Sequence, residues 1–483
     1  MEFKKIVPLA LLCWATTISA QKDLTSQLYE TYENFKENSI GKRRIKHADI
    51  QPLIAEFKSN PKFEVQKVGQ SIQGKDLHLI SIGTGKRNIF LWSQMHGDEP
   101  TATQAIFDIL RFLDAPEFQE EKEVILSNLK LHFLPMLNPD GAEVFQRRNA
   151  LGIDINRDAL RLQSPEGQTL KRLRDSLDAD FGFNLHDQSK YYNAELTEKP
   201  ATISYLATAF NYEKDINEIR ANAMKVIVFM NNIIQKYAPG QVGRYSDDFE
   251  PRAFGDNIAK WGTSLILIES GGYRNDPEKQ EIRKLNYVSI LSALNTIAEE
   301  SFQTIPTEDY EKIPHNDRKL FDLKIQNVTY ELLGNKYILD LGIIRNEVDL
   351  KDHNNFFYRG NVADQGDLST FYGYETFDAE GYELIAPKMA TVESVKNPMS
   401  LLQNGVAFVK TKLPAEAAFT ELPLQLVHQD FELKPMNLQP GINPTFFLKK
   451  DGVITHAVIN GFLMDLSKPL DEQNKGNGLI YRK

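Results

Sequence analysis

The chain has 483 residues, 41% of them hydrophobic, and a formal net charge of −10. That length and apolar content allow two or three domains with full cores, which excludes a disordered polymer. An acidic chain without any Lys/Arg-rich run lacks the basic face that phosphate binding requires, which argues against nucleic acid as a partner.

The first twenty residues, MEFKKIVPLALLCWATTISA, place two lysines before a short apolar stretch and end in small and polar residues. This is the pattern of a cleavable signal peptide, so residues 1–20 are expected to be a leader and the mature protein to be secreted or periplasmic. Cys13, the only cysteine of the chain, lies inside that leader. It follows Leu12 and so lacks the small residue of a lipoprotein processing site; the mature fold is expected to have no disulfide and to rely on its core. No later segment offers about eighteen consecutive apolar residues, so no stable membrane insertion is expected. From Gln21 to about Asn60 the sequence reads as one or two peripheral helices.

From roughly Phe63 to Ala298 short apolar runs alternate with stretches of helical period. LHLISIG, NIFLWSQ, LKLHFLPML, FGFNLH and TSLILIES read as buried strands. TATQAIFDILRFL sets Ala102, Ala105, Ile106, Ile109, Leu110 and Leu113 at offsets of three and four, an amphipathic helix. Strands alternating with helices predict an α/β domain, with a mixed, largely parallel twisted sheet flanked by helices. After Ser301 the texture changes. A Pro-rich, charged segment suits a linker over 301–320, and strand-turn-strand patterns around Gly334-Asn335 and Asp451-Gly452 predict a β-rich domain over 321–483. The expected organisation is therefore a leader (1–20), an α/β unit (21–300), a linker and a β-rich tail. The histidines of that tail, His315, His353, His428 and His456, lack metal-ligand spacing, so a supporting or substrate-presenting module is expected there.

At 96–99 the chain reads HGDE, where the strand NIFLWSQ gives way to the helix starting near Pro100. Ligand sites of open α/β sheets lie outside the carboxyl ends of strands, where helix N-termini point at the crevice. His96 and Glu99 stand at such an end, and an imidazole with a carboxylate suits Zn²⁺. Taken alone, HGDE fits equally a helix start whose acids favour the positive end of the dipole. Other strand ends add to it. FGFNLH terminates in His186, completing the two-His, one-Glu set of a catalytic zinc with an open position. TSLILIES terminates in Glu269, an acid that costs free energy after so apolar a strand unless it has a partner or a task. NPDG and RRNALGIDINRD gather Arg147, Arg148, Asn156 and Arg157 near the same rim.

HGDE, NPDG, the RRN…GIDINRD stretch, a strand-terminal His and a strand-terminal Glu occur in the order of the zinc carboxypeptidases, the M14 peptidase family, which the chain resembles from about Arg44 to Ala298. The resemblance implies a peptide hydrolase using one Zn²⁺ held by His96, Glu99 and His186, with Glu269 as general base on a zinc-activated water. It implies Arg148 as the arginine that stabilises the oxyanion, with Arg147 next to it still open. It makes Asn156 and Arg157 the clamp on the terminal carboxylate of a peptide substrate. Tyr245 fits the mobile tyrosine of the family, and Asp256 a position that sets specificity, where an acid either favours basic side chains or only holds a loop. Two departures stand out: Asp187-Gln188 follows the ligand histidine where the family often has Ser-Tyr, and there is no room for a long inhibitory prosegment. The expected function is a secreted metallocarboxypeptidase; the alternative is a zinc amidase or deacylase acting on acylated amino acids or cell-wall peptides.

Overall fold

The first strand to leave the N-terminal helices has half-polar sequence, and the ones that follow it become apolar on both faces. This gradient marks the edge and the centre of one sheet. The computed structural model describes residues 23–482; the leader read over residues 1–20, with Cys13, lies outside them. Its strands are β1 (Glu64–Gln70), β2 (Asp76–Ile82), β3 (Arg87–Ser93), β4 (Leu129–Leu134), β5 (Phe181–Asp187), a two-residue β6 (Asn193–Ala194), β7 (Ile203–Ala207), β8 (Val242–Arg244) and β9 (Ser264–Ser270). All but β6 join one sheet in the order β1-β2-β4-β3-β5-β9-β7-β8. The centre, β4-β3-β5-β9, is parallel, and β1-β2, β2-β4 and β9-β7 are antiparallel. The predicted mixed, largely parallel sheet is the one observed.

The helices are α1 (Leu24–Thr31), α2 (His47–Ser59), α3 (Thr101–Asp114), α4 (Gln119–Asn128), α5 (Pro139–Glu143), α6 (Pro165–Leu177), α7 (Glu218–Tyr237), α8 (Phe254–Lys260) and α9 (Gln280–Ala298). They cover both faces of the sheet. Because side chains alternate across a strand, Ile89, Leu91, Phe183, Leu185, Ile266 and Ile268 enter a core shared with α3, α7 and α9. Phe90, Trp92, Leu134 and Leu265 face the other way, onto Leu170 and Leu173 of α6 and Phe254 and Ile258 of α8. That second face carries the candidate site residues. Asn184 and His186 of β5 and Leu267 and Glu269 of β9 share it, at the carboxyl ends of the strands.

The stretch after α9 is better packed than its Pro-rich, charged composition predicts. Phe302, Tyr310 and Ile313 are buried against the sheet, and the Tyr310 hydroxyl accepts from the Ala207 backbone N–H at 3.0 Å. Aromatic residues spaced through a polar segment anchored it. Beyond it come β10 (Asn316–Asp317), β11 (Leu320–Leu332), β12 (Asn335–Asp349), β13 (Phe356–Gly366) and β14 (Tyr372–Asp378), part of a β-rich region with several sheets. The β11–β12 hairpin turns at Leu333-Gly334, with φ of 52° and 80°, one residue earlier than predicted. Asp451-Gly452, with φ of 50° and 82°, turns where expected. Two consecutive positive φ values are what a tight two-residue hairpin turn needs. Among the described residues no helix is long and apolar enough to cross a membrane.

Candidate metal centre

At the end of β3 the backbone enters the left-handed region at Gln94, φ 51°, and swings HGDE over the sheet. The turn is pinned from below: Leu137 and Asn138 donate their backbone N–H to Ser93 O and Gln94 O, each at 3.0 Å. Gly97 is needed there, since a Cβ on it would stand 2.0 Å from the Gly141 carbonyl carbon. The Asn138 side chain accepts from Gly141 N at 2.9 Å and donates to Arg147 O at 3.3 Å. NPDG is thus the bracket that joins HGDE to the arginine segment.

His96, Glu99 and His186 converge. Their candidate ligand atoms all lie within 4.8 Å of one another. Glu99 Oε2 is 2.7 Å from His186 Nδ1, Glu99 Oε1 is 2.8 Å from His96 Nδ1, and the two Nδ1 atoms are 3.2 Å apart. Bonds of about 2.0–2.1 Å to a tetrahedral zinc put neighbouring ligand atoms roughly 3.3 Å apart, so the triangle fits such an ion. Two imidazole nitrogens aimed at one point beside a carboxylate are also the donor set that zinc prefers. His96 Nε2 faces Asp154 Oδ1 at 3.2 Å, an arrangement that fixes the ring and frees Nδ1 for a metal. Burial alone would depress His96, but the Glu99 and Asp154 carboxylates outweigh it and hold the imidazole up at about 9. His186 lacks the second acid, and burial holds it down. Burial works against ionised Glu99 too, yet the two imidazoles keep it well below the usual carboxylate range.

Glu269 stands directly opposite His186 in the parallel β5–β9 register. It lines the same cleft, of about 510 Å³. Burial, then the nearby Glu99 charge, pushes its carboxyl well above the ordinary value. Asn156, Arg157, Tyr245 and Asp256 line the cleft as well. Asn156 Oδ1 accepts from Phe254 N at 2.9 Å, which ties the DINRD turn to α8. Arg157 Nε lies 3.6 Å from Glu250. Asp256 is buried on α8, its carboxylate accepts the Glu250 N–H at 3.0 Å, and burial pushes its pKa up to about 6.

The two adjacent arginines part company. Arg147 lines the cleft and reaches His96 Nδ1 at 3.0 Å, Glu99 Oε1 at 3.4 Å and Asp154 Oδ2 at 3.0 Å. Arg148 is exposed and donates to Gly152 O at 2.9 Å, closing its own turn. The structure therefore brings Arg147, and not Arg148, to the site, in a bend whose Arg147 carbonyl is held by the Asn138 side chain.

Three site residues escaped the sequence reading. Asp154 sits in the quoted GIDINRD stretch and was its one visible signal. Lys279 had none: it reaches from the loop before α9 to Asp187 Oδ2 at 3.0 Å and to Ser270 O at 2.9 Å. Asp187, which also accepts from Thr101 Oγ1 at 2.6 Å, is thereby a bracket between β5, β9 and the start of α3. Tyr192 lines the cleft with its ring centroid 5.7 Å from that of Tyr245.

The fold and this donor set define a class: a metal-binding α/β protein with its site at the carboxyl ends of the central strands. Within that class, residues 52–202 match the zinc carboxypeptidase model, Peptidase_M14. Carboxypeptidase SOL1 of Arabidopsis thaliana is 29% identical over 158 residues, 26% of this chain and 32% of that protein. A probable carboxypeptidase 2 of Trichophyton verrucosum is 30% identical over 134 residues, 27% of this chain and 25% of that protein. The chain thus spans about a third or less of these two relatives. Among solved structures, the carboxypeptidase A of Helicoverpa armigera overlays with a TM-score of 0.44 at 16% identity, covering 58% of this chain and 80% of that one.

Proposed function

We propose that the chain is a secreted zinc metallocarboxypeptidase that removes C-terminal residues from peptides. In this reading residues 1–20 direct export, residues 21–300 form the catalytic unit, and the β-rich residues 321–483 support it. The observation that carries the reading is the convergence of His96, Glu99 and His186 beside Glu269 in a cleft that also holds Asn156 and Arg157. One zinc ion on the triad supplies Lewis-acid polarisation of a carbonyl and lowers the pKa of a water molecule. Glu269, raised in pKa and opposite His186, takes a proton from the attacking water and returns it to the leaving amine. Arg147 replaces Arg148 as the fixed cation that meets the developing oxyanion. Asn156 and Arg157 grip the terminal carboxylate, Tyr245 closes over the substrate, and Asp256 selects basic side chains.

The test is a pair of peptides that differ only in C-terminal amidation. Amidation should abolish cleavage if the carboxylate clamp operates. One observation favours the alternative zinc amidase or deacylase: Glu250 stands 3.6 Å from Arg157 and competes for that guanidinium. Equal turnover of amidated and free peptides would favour that alternative and remove the carboxypeptidase assignment.

A further inference from the structure

No residue of the β-rich region lines the cleft, yet that region holds the segment from Gln188 to Ala194, which supplies one wall. Three separate grips do this. First, β10 pairs antiparallel with β6, Asn316 opposite Ala194 and Asp317 opposite Asn193, and Asn316 Nδ2 donates to Gln188 Oε1 at 2.8 Å. Second, Asp322 of β11, 7% exposed, accepts from Lys190 Nζ and from the Tyr191 hydroxyl, both at 2.6 Å. The Arg345 backbone N–H of β12 donates to the same carboxylate at 2.6 Å, so the anion is held from its own sheet as well. Third, the Tyr374 hydroxyl of β14 donates to Lys190 O at 2.6 Å.

The third grip also reaches the strand of the proposed base. A Cβ on Gly272 would meet the Tyr374 oxygen at 2.1 Å, so the absence of a side chain three residues after Glu269 is what admits the tyrosine. The opposite rim is held too. Arg44, ion-paired with Glu347 and Asp349 of β12 at 3.1 and 2.8 Å, stacks 4.0 Å above the Phe145 ring, two residues before Arg147. The charge-assisted bonds among these, on Asp322 and Arg44, are part-buried and fix geometry as well as adding stability.

We infer that the β-rich C-terminal region is a working part of the cleft, with Asp322 and Tyr374 as positioning residues that hold the 188–194 wall and so place Tyr192 for substrate binding. A mere structural appendage would be expected to touch the α/β unit away from the site. Here three grips fall within seven consecutive residues, 188–194, that begin two positions after a candidate ligand. Loss of a grip loosens the wall without touching the metal centre, so it costs substrate binding more than turnover.

Asp322→Asn and Tyr374→Phe test this in the full-length, zinc-loaded protein, with Lys336→Ala, at an exposed pair far along the hairpin, as control. The kinetic readout rests on the peptidase reading; the second readout, backbone hydrogen exchange at Ala194, Glu195 and Ala201, does not. We expect KM for a peptide to rise about fivefold with kcat within about twofold, and exchange at those amides to quicken about tenfold with zinc content unchanged. Tyr374→Phe deletes one oxygen and keeps the ring, so it serves if Asp322→Asn does not fold. Unaltered exchange in both variants would overturn the inference, as would equal loss of kcat in proportion to lowered unfolding temperature. If the wild-type protein cleaves no peptide, the peptidase reading falls and the exchange rates alone decide the inference.

Discussion

Asp256 is a buried acid that accepts the Glu250 backbone N–H, and among the described residues it has no cation within ion-pair distance. Burial raises its pKa from 3.8 to about 6. The sign follows from proton counting. Between those two values the folded protein binds a proton that the unfolded chain has lost, so stability falls as pH rises through the window and stays lowered above it. A rise of about two pKa units corresponds to roughly 3 kcal/mol of stability forgone at neutral pH. Asp256→Asn keeps an acceptor for the Glu250 N–H and removes the charge. The variant should therefore unfold about 5 °C higher than wild type at pH 8, and the gain should shrink towards pH 4. Calorimetry at the two pH values checks this. On the proposed reading, in which Asp256 selects basic side chains, the variant should also cleave C-terminal Lys or Arg no better than Leu. An Asp256→Asn protein less stable than wild type at both pH values would refute the reasoning, since it would mean that the ionised carboxylate is well paired in the fold.

Replacing Glu269 with Gln should leave zinc bound, by elemental analysis, and slow turnover by about 10²–10⁴-fold; near wild-type rate would remove Glu269 as the base. Lys279→Met should destabilise the protein by about 3 kcal/mol because it strands the buried Asp187 charge, and adding Asp187→Asn should restore most of the loss in a double-mutant cycle. Zinc uptake by chelator-stripped protein requires neutral His96, whose imidazole is held up at about 9. Apparent affinity should therefore rise about tenfold per pH unit from pH 6 to 8, with about one proton released per ion by titration calorimetry in two buffers.

What was legible in the sequence was whatever depends on one element. Five strands and α3 announced themselves because buried central strands are continuously apolar and amphipathic helices repeat every three to four residues. His186 and Glu269 were visible because each ends such a strand, and parallel register then sets them side by side. The half-polar β1 and the three-residue β8 carried no such signal. Nor could one dimension separate Arg147 from Arg148: which of two neighbours turns inward depends on the Asn138–Arg147 bond that orients the segment. Lys279, Asp322 and Tyr374 act on residues 92, 132 and 184 positions away, and no local pattern encodes such distances.

Charge balance joins these particulars into one argument. Five carboxylates crowd the carboxyl ends of β3, β5 and β9 and the turn beside them: Asp98, Glu99, Asp154, Asp187 and Glu269. Two side-chain cations answer them directly, Arg147 on Glu99 and Asp154, and Lys279 on Asp187. A buried acid left over must either take up a proton or meet another cation. The raised pKa of Glu269 and the proton held on His96 are the first solution. A divalent ion held by the triad would be the second: it would displace the His96 proton, neutralise Glu99 from the other side and let Glu269 ionise, the form the proposed general base needs. The same surplus of negative charge that makes the centre costly to fold thus favours a doubly charged ligand at one point, and Arg147 and Lys279 set how large that surplus is.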